Sequence, residues 1–223
     1  MAENTKPMEP EQTQQTKEKA KSTPLSILYD FLDMVESVLI SCFVVMLLFG
    51  FVLRPVKVDG SSMVPTLYNM DQLLMVSLFY QPAYGDIVVV NGDYATLFSD
   101  AQQTVPYETQ GTDINLVKRV IATGGQTIDI DFDTGNITID GELLDQSFIK
   151  LSATRNEGAF TYPMTVPEGY CFVMGDNRNG SMDSRHPSVG LISEDQVLGH
   201  VVLRYGREDE HCRQWTDRFA VYN

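Results

Sequence analysis

Length, composition and charge bound what this chain can be. It has 223 residues, enough for one sizeable domain with an attached segment, and its 43% hydrophobic content is ordinary for a globular protein. The formal net charge of −14 argues against a nucleic-acid partner, since phosphate binding needs a basic surface. Cys42, Cys171 and Cys212 are too scattered for a disulfide framework or a zinc site. A single Cys171–Cys212 bridge stays open, although isolated thiols are favoured.

The first 23 residues are polar and rich in Glu, Gln, Lys and Thr. Such a segment has too few large apolar side chains to offset the entropy lost on ordering, so we expect a disordered cytoplasmic tail over residues 1–23. Thr23 and Pro24 then indicate a helix start, with a hydroxyl cap and a proline in the first turn.

An apolar segment follows this helix start. From Leu25 the apolar side chains fall on one helical face and acidic residues on the other, which is typical of a helix at a membrane surface. The 17 residues Ser37–Leu53 carry no charge and would span roughly 25 Å as a helix, close to the thickness of a bilayer core. We predict an amphipathic start and one transmembrane helix over residues 24–54; a buried core helix is the other interpretation.

Flanking charges predict the orientation of this helix. The nearest basic residues are Lys17, Lys19 and Lys21 before it and Arg54 and Lys57 after it. By the positive-inside rule we expect a single-pass protein of the cell membrane with its N-terminus in the cytoplasm. Residues 55–223 would then lie outside the cytoplasm.

From Val56 onward the pattern changes to short strands separated by turn signals. The predicted strands are Asp71–Phe79, Asp86–Val90, Ile114–Ala122, Gln126–Asp131, Ile137–Asp140, Tyr170–Met174 and Val197–Tyr205. They predict a mainly β domain over residues 55–223, with a small insertion at about 126–165. Residues 94–113 are polar and rich in turn formers, so we expect a surface excursion there. No function follows from the charged stretch Arg207–Asn223.

Ser62 is the first candidate for chemistry. It stands in Gly60-Ser61-Ser62-Met63-Val64-Pro65-Thr66-Leu67, where Gly60 permits close approach of the backbone and Pro65 fixes the turn. Most serines in such sequences only form the turn. Ser62 can act as a nucleophile only if a base takes its proton.

Lys118 is the strongest candidate for that base. On a strand, Leu116 and Val120 would share its face, and an ammonium among apolar side chains has a lowered pKa. Arg119 next to it acts in the same direction. A solvent-exposed strand lysine is the plain alternative. The other candidate bases are His186, His200 and His211, none of which lies in a supporting motif.

A dense polar loop, Gly175–Arg185, follows the predicted strand Tyr170–Met174. A solvated turn is one interpretation. A calcium loop is excluded, because the required glycine spacing puts the wrong residue types at the ligand positions. A third interpretation is a network in which Asp183, Arg185 and Arg119 pair, with the hydroxyl of Ser181 directed at the lysine amine.

Together these stretches resemble the ordered sequence boxes of the type I signal peptidases. The boxes are Gly60–Leu67, Gly85–Val89, Lys118–Ile121 and Gly175–Arg185, and the upstream apolar span resembles that family's anchor. The similarity runs from about Val35 to Tyr205. The self-cleaving repressors of the SOS response share a serine–lysine pair, but they lack the anchor and the long polar loop.

The resemblance implies a role for each matching residue. Ser62 matches the nucleophile, Lys118 the general base and Ser181 the serine that orients the lysine amine. The supporting charge network matches Asp183, Arg185, Arg119 and Asp176. Shallow pockets for small side chains match Val56, Val58, Met63, Leu67, Leu116 and Val117. The backbone N–H of Ser62 matches an oxyanion donor, and Gly60 stands where some members have a second donor, a hydroxyl.

The resemblance implies a signal-peptidase-like β domain with one transmembrane helix. The function would be that of a membrane-anchored serine endopeptidase that cleaves signal peptides from exported preproteins after small side chains, without a metal or cofactor. Its partners would be those signal peptides and the lipid bilayer, with secretion machinery as a further candidate. Two other interpretations stay open: a membrane-tethered Ser–His protease using His186 or His200, and a non-catalytic membrane-anchored binding domain.

Overall fold

The computed structural model describes residues 24–78, 80–149, 152–212 and 214–222. The polar tail predicted over residues 1–23 therefore lies outside the described residues. The described part of the chain divides between Val45 and Met46 into two compact units.

The N-terminal helix, α1, covers Pro24–Leu47 and is followed by a π-helical turn at Leu48–Val52. The stretch Ile27–Val52 is long and apolar enough to cross a membrane, and none of its most apolar window is buried inside the protein. This finding rests on length and composition. The helical conformation ends two residues before the predicted boundary at 54, because the first strand begins at Leu53.

The rest of the described chain consists mainly of short strands, which confirms the prediction of a mainly β domain. The strands are β1 Leu53–Lys57, β2 Gln72–Val76, β3 Ile87–Val90, β4 Tyr94–Phe98, β5 Pro106–Gln110, β6 Leu116–Thr123, β7 Thr127–Asp131, β8 Asn136–Ile139, β9 Glu142–Leu143, β10 Met164–Thr165, β11 Tyr170–Met174, β12 Ile192–Ser193, β13 Val197–Gly206 and β14 Ala220–Val221. In β7, buried Ile128 and Ile130 alternate with exposed Asp129 and Asp131, the period of a half-buried strand.

One large sheet has the strand order β1-β2-β13-β3-β6-β11-β12, with β14 pairing to β13. A second sheet has the order β10-β7-β8-β9 and lies within the region where the sequence predicts a small insertion. All pairs are antiparallel, and β3 is buried along its whole length between β13 and β6. Strand β6, which carries Lys118, is therefore held in the interior of the large sheet.

Residues 94–113 contain more order than the predicted surface excursion. Strands β4 and β5 form an antiparallel hairpin with Tyr94 opposite Gln110, and Ala95 and Thr96 are buried. The sequence pattern misses β5 because nearly all of its residues are exposed and most are polar. An edge strand of this kind shows no apolar alternation.

A hydrophobic core fixes the turn that follows β1. Met63 and Leu67, which lie within this turn, are 1% and 0% exposed and belong to one cluster with Leu73 and Val201. Buried Val58, which precedes the turn, belongs to the same cluster, so residues 59–62 lie between the apolar anchors Val58 and Met63.

Candidate active site

Ser62 begins the turn between β1 and β2. Gly60 has a φ of 100°, in the left-handed region that favours glycine, and its N–H donates to Asn69 Oδ1 at 2.9 Å. The N–H of Leu67 donates to the Met63 carbonyl at 2.9 Å, which closes the turn. These contacts and the buried anchors leave Ser62 partly exposed in one defined position.

Lys118 lies in contact with Ser62. Its Nζ is 2.9 Å from Ser62 Oγ and also donates to the Val117 carbonyl at 3.1 Å. The side chain is only 2% exposed, and Leu116 and Val120 on the same strand are buried. The structure thus joins the two residues that the sequence singles out, although they are 56 positions apart.

Burial lowers the pKa of Lys118 from its usual 10.5 to about 8, because an ammonium loses hydration among apolar side chains. The carboxylates of Asp183 and Asp176 act in the opposite direction and favour the charged form. Burial is the larger effect, so a substantial fraction of the amine is uncharged in mildly alkaline solution.

The charge network forms two pairs. Arg185 binds both carboxylate oxygens of Asp183 at 2.8 Å. Arg119 binds Asp176 through Nε at 2.8 Å and Nη2 at 2.7 Å, and Nη1 donates to the Gly85 carbonyl at 2.6 Å. The expected grouping of Arg119 with Asp183 and Arg185 is therefore replaced by two separate ion pairs, which fix opposite ends of the polar loop.

Ser181 belongs to the polar loop, but its hydroxyl makes no hydrogen bond to the lysine amine. Ser181 is 4% exposed, and its Oγ has no hydrogen-bond partner among the described residues. The amine of Lys118 donates instead to the Val117 carbonyl of its own strand. The expected Ser181–Lys118 hydrogen bond is thus absent from this arrangement.

The polar loop also binds the backbone beside Ser62. Asn177 donates its N–H to the Ser62 carbonyl at 3.0 Å and its side-chain amide to the Ser61 carbonyl at 3.2 Å. The Thr66 hydroxyl donates to Asp176 at 2.5 Å. Within the described part of the chain, the N–H of Ser62 itself donates to no protein acceptor. That N–H is therefore free for a ligand.

A groove of about 360 Å³ runs past Ser62 and Lys118. Its remaining lining residues are Val56, Lys57, Val58, Asp59, Met63, Met75, Val89, Ile114, Asn115, Leu116, Val117 and Leu198. Five of the six predicted pocket residues are among them. Leu67 is not, because it is 0% exposed in the core. Met75, Val89 and Leu198 are additions that no local motif identifies, since strand order brings them to the groove.

Two unpaired strand edges border this groove. Strand β1 is the end strand of the large sheet. In β6, residues 116–118 pair with β3 on one side, whereas pairing with β11 begins only at Arg119 on the other. An extended peptide can therefore add its backbone hydrogen bonds between the two edges.

Each of the three histidines has a contact away from Ser62. His200 stacks on Tyr80 with ring centroids 4.3 Å apart, and His211 stacks on Tyr68 at the same separation. His186 Nδ1 accepts the N–H of Ser188 at 3.0 Å. In the described structure the base in contact with Ser62 is Lys118, and this arrangement does not favour a Ser–His pair.

No group of three His, Cys, Asp or Glu side chains that could hold a metal ion occurs among the described residues. In the polar loop the carboxylates of Asp176 and Asp183 form ion pairs with arginines.

The three cysteines are free thiols, including Cys171, whose buried position raises the pKa of its thiol to about 12.

The sequence of residues 31–206 matches a family model described as signal peptidase, peptidase S26. The chain belongs to this family. As a member, it is a serine endopeptidase that processes signal peptides.

Several relatives in this family cover most of the chain. Signal peptidase I S of Bacillus subtilis (strain 168) is 31% identical over 80% of this chain and 91% of its own length. Signal peptidase I of Bacillus licheniformis is 34% identical over 75% and 84%. A crystal structure of a signal peptidase I from Enterococcus faecalis V583 aligns with a TM-score of 0.37 and 23% identity over 54% of this chain and 97% of that one.

Gly175→Ala tests how closely the polar loop is packed against Ser62. A Cβ at position 175 would overlap the Ser62 carbonyl oxygen and the Ser181 side chain. We expect kcat to fall by about 10²-fold as the Ser62 hydroxyl is displaced from the Lys118 amine. Cleavage of a signal-peptide substrate gives kcat, and near-ultraviolet circular dichroism checks the fold.

Gly50→Ala is the control, because a Cβ at position 50 would meet no atom within 4 Å. We expect it to keep most of the activity. Equal rates for both variants would contradict the close packing at position 175.

Lys118→Met tests the cost of burying the amine. Below pH 8 the amine is charged in both the folded and the unfolded chain, and its lowered pKa corresponds to a penalty of about 3 kcal/mol. Between pH 8 and 10.5 the folded amine is neutral while the unfolded one still binds a proton, so wild-type stability rises with pH. We expect the variant to be more stable at pH 7 and to lose this advantage by pH 10.

Urea unfolding at the two pH values measures this difference. Lys57→Met is the control, since Lys57 is exposed. An advantage of Lys118→Met that is the same at pH 7 and pH 10 would show that a titrating amine is not its cause.

Proposed function

We propose that this chain is a membrane-anchored endopeptidase that removes signal peptides from exported preproteins with Ser62 as nucleophile and Lys118 as general base. The 2.9 Å contact between Lys118 Nζ and Ser62 Oγ is the observation that carries this proposal. Its supports are the lowered pKa of Lys118, the adjacent groove and the family membership.

The precursor binds as an extended strand between the edges of β1 and β6. Backbone hydrogen bonds hold it there, and this β-augmentation is largely independent of sequence. The aliphatic groove walls around Ser62, including Val58 and Leu116, leave room for short side chains next to the bond to be cut. This lining supports cleavage after small residues.

Acylation begins when the neutral amine of Lys118 takes the proton of Ser62 Oγ. The oxygen attacks the scissile carbonyl carbon, and the resulting oxyanion accepts a hydrogen bond from the unoccupied N–H of Ser62. Gly60 offers no side-chain donor, so any second donor is a backbone group or water. The protonated amine then gives its proton to the leaving nitrogen, the C–N bond breaks, and an ester to Ser62 remains.

Deacylation uses the same base. Lys118 takes a proton from a water molecule, and the hydroxide attacks the ester carbonyl carbon. The C–O bond to Ser62 breaks, and the proton returns from Lys118 to Ser62 Oγ. The ion pairs of Asp183 with Arg185 and of Asp176 with Arg119 hold the polar loop and the turn in register during both steps. We assign Ser181 to the orientation of the Lys118 amine during turnover. Its hydroxyl, which has no hydrogen-bond partner among the described residues, would turn toward the amine in that step.

The apolar stretch Ile27–Val52 is the proposed membrane anchor. We assign residues 1–23 to a cytoplasmic tail and residues 55–223 to an extracytoplasmic catalytic domain, on the basis of the flanking basic residues. This arrangement holds the catalytic domain at the bilayer across which the secretion machinery moves preproteins.

Incubation of the detergent-solubilised full chain with a preprotein tests this function, with sequencing of the new N-terminus. We expect one cut after a small side chain, and no cut with Ser62→Ala or Lys118→Ala. Ser61→Ala is the matched control, since the Ser61 hydroxyl has no hydrogen bond in the described structure, and we expect it to cleave like the wild type. Processing by Ser62→Ala or Lys118→Ala at the wild-type rate would reject the pair.

The pH dependence of kcat/KM reports the pKa of the catalytic base in the free enzyme. The base must be unprotonated to accept a proton, so we expect kcat/KM to rise with pH and reach half its plateau near pH 8. Below that, the rate should fall about tenfold per pH unit. Initial rates on a signal-peptide substrate from pH 6 to 10 measure it. A half-point near pH 6 would instead point to an imidazole base.

A further inference from the structure

The C-terminal segment, residues 207–222, lies beyond the residues that match the family model, which end at 206. Within the described residues it contains two short 3₁₀ turns, Asp209–His211 and Trp215–Arg218, and strand β14. Its first residue, Arg207, reaches back to the turn that carries Ser62. The segment is therefore part of the environment of that turn.

Arg207 binds the far end of this turn through a buried carboxylate. Its Nη2 is 2.6 Å and its Nε 3.0 Å from Asp71, which is 0% exposed. Asp71 also accepts the N–H of Tyr68 at 2.9 Å. The Arg207 guanidinium lies over the Tyr68 ring, 4.6 Å from its centroid, and the His211 ring stacks on the same tyrosine. A single guanidinium thus holds both the backbone and an aromatic side chain of the turn.

The same guanidinium holds the Thr66 carbonyl. Arg207 Nη2 donates to it at 2.9 Å, and Arg204 Nη1 donates to it at 3.2 Å. The Thr66 hydroxyl faces the other way and donates to Asp176, the partner of Arg119. Thr66 is therefore bound on one side by the C-terminal part of the chain and on the other by the ion pair next to the lysine.

We propose that Arg207 is a positioning residue for the reaction: it fixes the turn so that Ser62 Oγ stays within hydrogen-bonding distance of Lys118 Nζ. The inference rests on the proposed function, in which these two atoms react. Arg207 acts through Thr66 and Asp71 and touches neither reacting atom. A guanidinium suits this role because its planar fork can bind a carboxylate and a carbonyl at the same time, which an ammonium does less well.

Arg207→Gln tests the inference in the detergent-solubilised full chain. We expect kcat to fall by about tenfold or more, because small displacements of a reacting group cost large rate factors. KM should stay within about twofold, since the groove walls are untouched. A reduced-amide analogue of the substrate peptide, which has no scissile carbonyl and cannot acylate Ser62, should still bind with a stoichiometry of about one, which counts the folded enzyme directly.

Three further variants sharpen the result. Arg207→Lys should recover part of kcat, because it keeps the charge but loses the fork. Asp71→Asn combined with Arg207→Gln should slow kcat by less than the product of the two single effects, because the Arg207–Asp71 contact is already lost in either single variant. Arg155→Gln is the matched control, since this exposed guanidinium contacts only the Asn179 carbonyl at 3.5 Å in the described structure, and its kcat should not change.

The outcomes separate this inference from the proposed function. An unchanged kcat in Arg207→Gln, or a loss explained fully by lower analogue stoichiometry, would overturn the positioning role even if Ser62→Ala is inactive. Should Arg207→Gln fail to fold, the kcat of Arg207→Lys decides, and a wild-type value would overturn the inference. Full processing by Ser62→Ala would instead remove the proposed function.

Discussion

The site depends on one contact, in which the buried amine of Lys118 meets the partly exposed hydroxyl of Ser62. Burial lowers the pKa of the amine to about 8, which suits the proposed general base, and it also makes the charged amine costly to keep in the folded protein. Strand β6, which carries the amine, pairs with β3, and two ion pairs hold the neighbouring polar loop. The position of the amine is therefore set by long-range pairing in the fold.

Much of the fold could be predicted from local pattern. The main strands, including β3, β6 and β11, follow from runs of β-branched residues between turn signals, and the apolar N-terminal helix follows from composition. Hairpin β4–β5 could not be predicted in this way, because the exposed strand β5 carries no apolar alternation. The alternation of apolar and polar residues reflects burial of one strand face, so an exposed strand does not show it.

For the candidate site, the sequence predicted the main residues but not all of their contacts. Ser62 and Lys118 stand in stretches whose resemblance to a family identifies them, and the structure brings them together. The partner of Arg119 was not predictable from residue types, since Asp176 and Asp183 are both suitable carboxylates in one loop. Met75, Val89 and Leu198 reach the groove only through the order of strands in the sheet, which depends on long-range pairing. Leu67 shows the converse, because its position in the motif does not reveal that its side chain turns into the core.

The open edges of β1 and β6 have a consequence for turnover. A strand held by its main chain keeps its own hydrogen bonds after the scissile bond is cut, so the amino-terminal fragment keeps part of the binding of the precursor. Under the proposed mechanism, spent fragments act as competitive inhibitors as they accumulate. The enzyme would therefore work fastest where another process, such as degradation, removes the cleaved amino-terminal fragments.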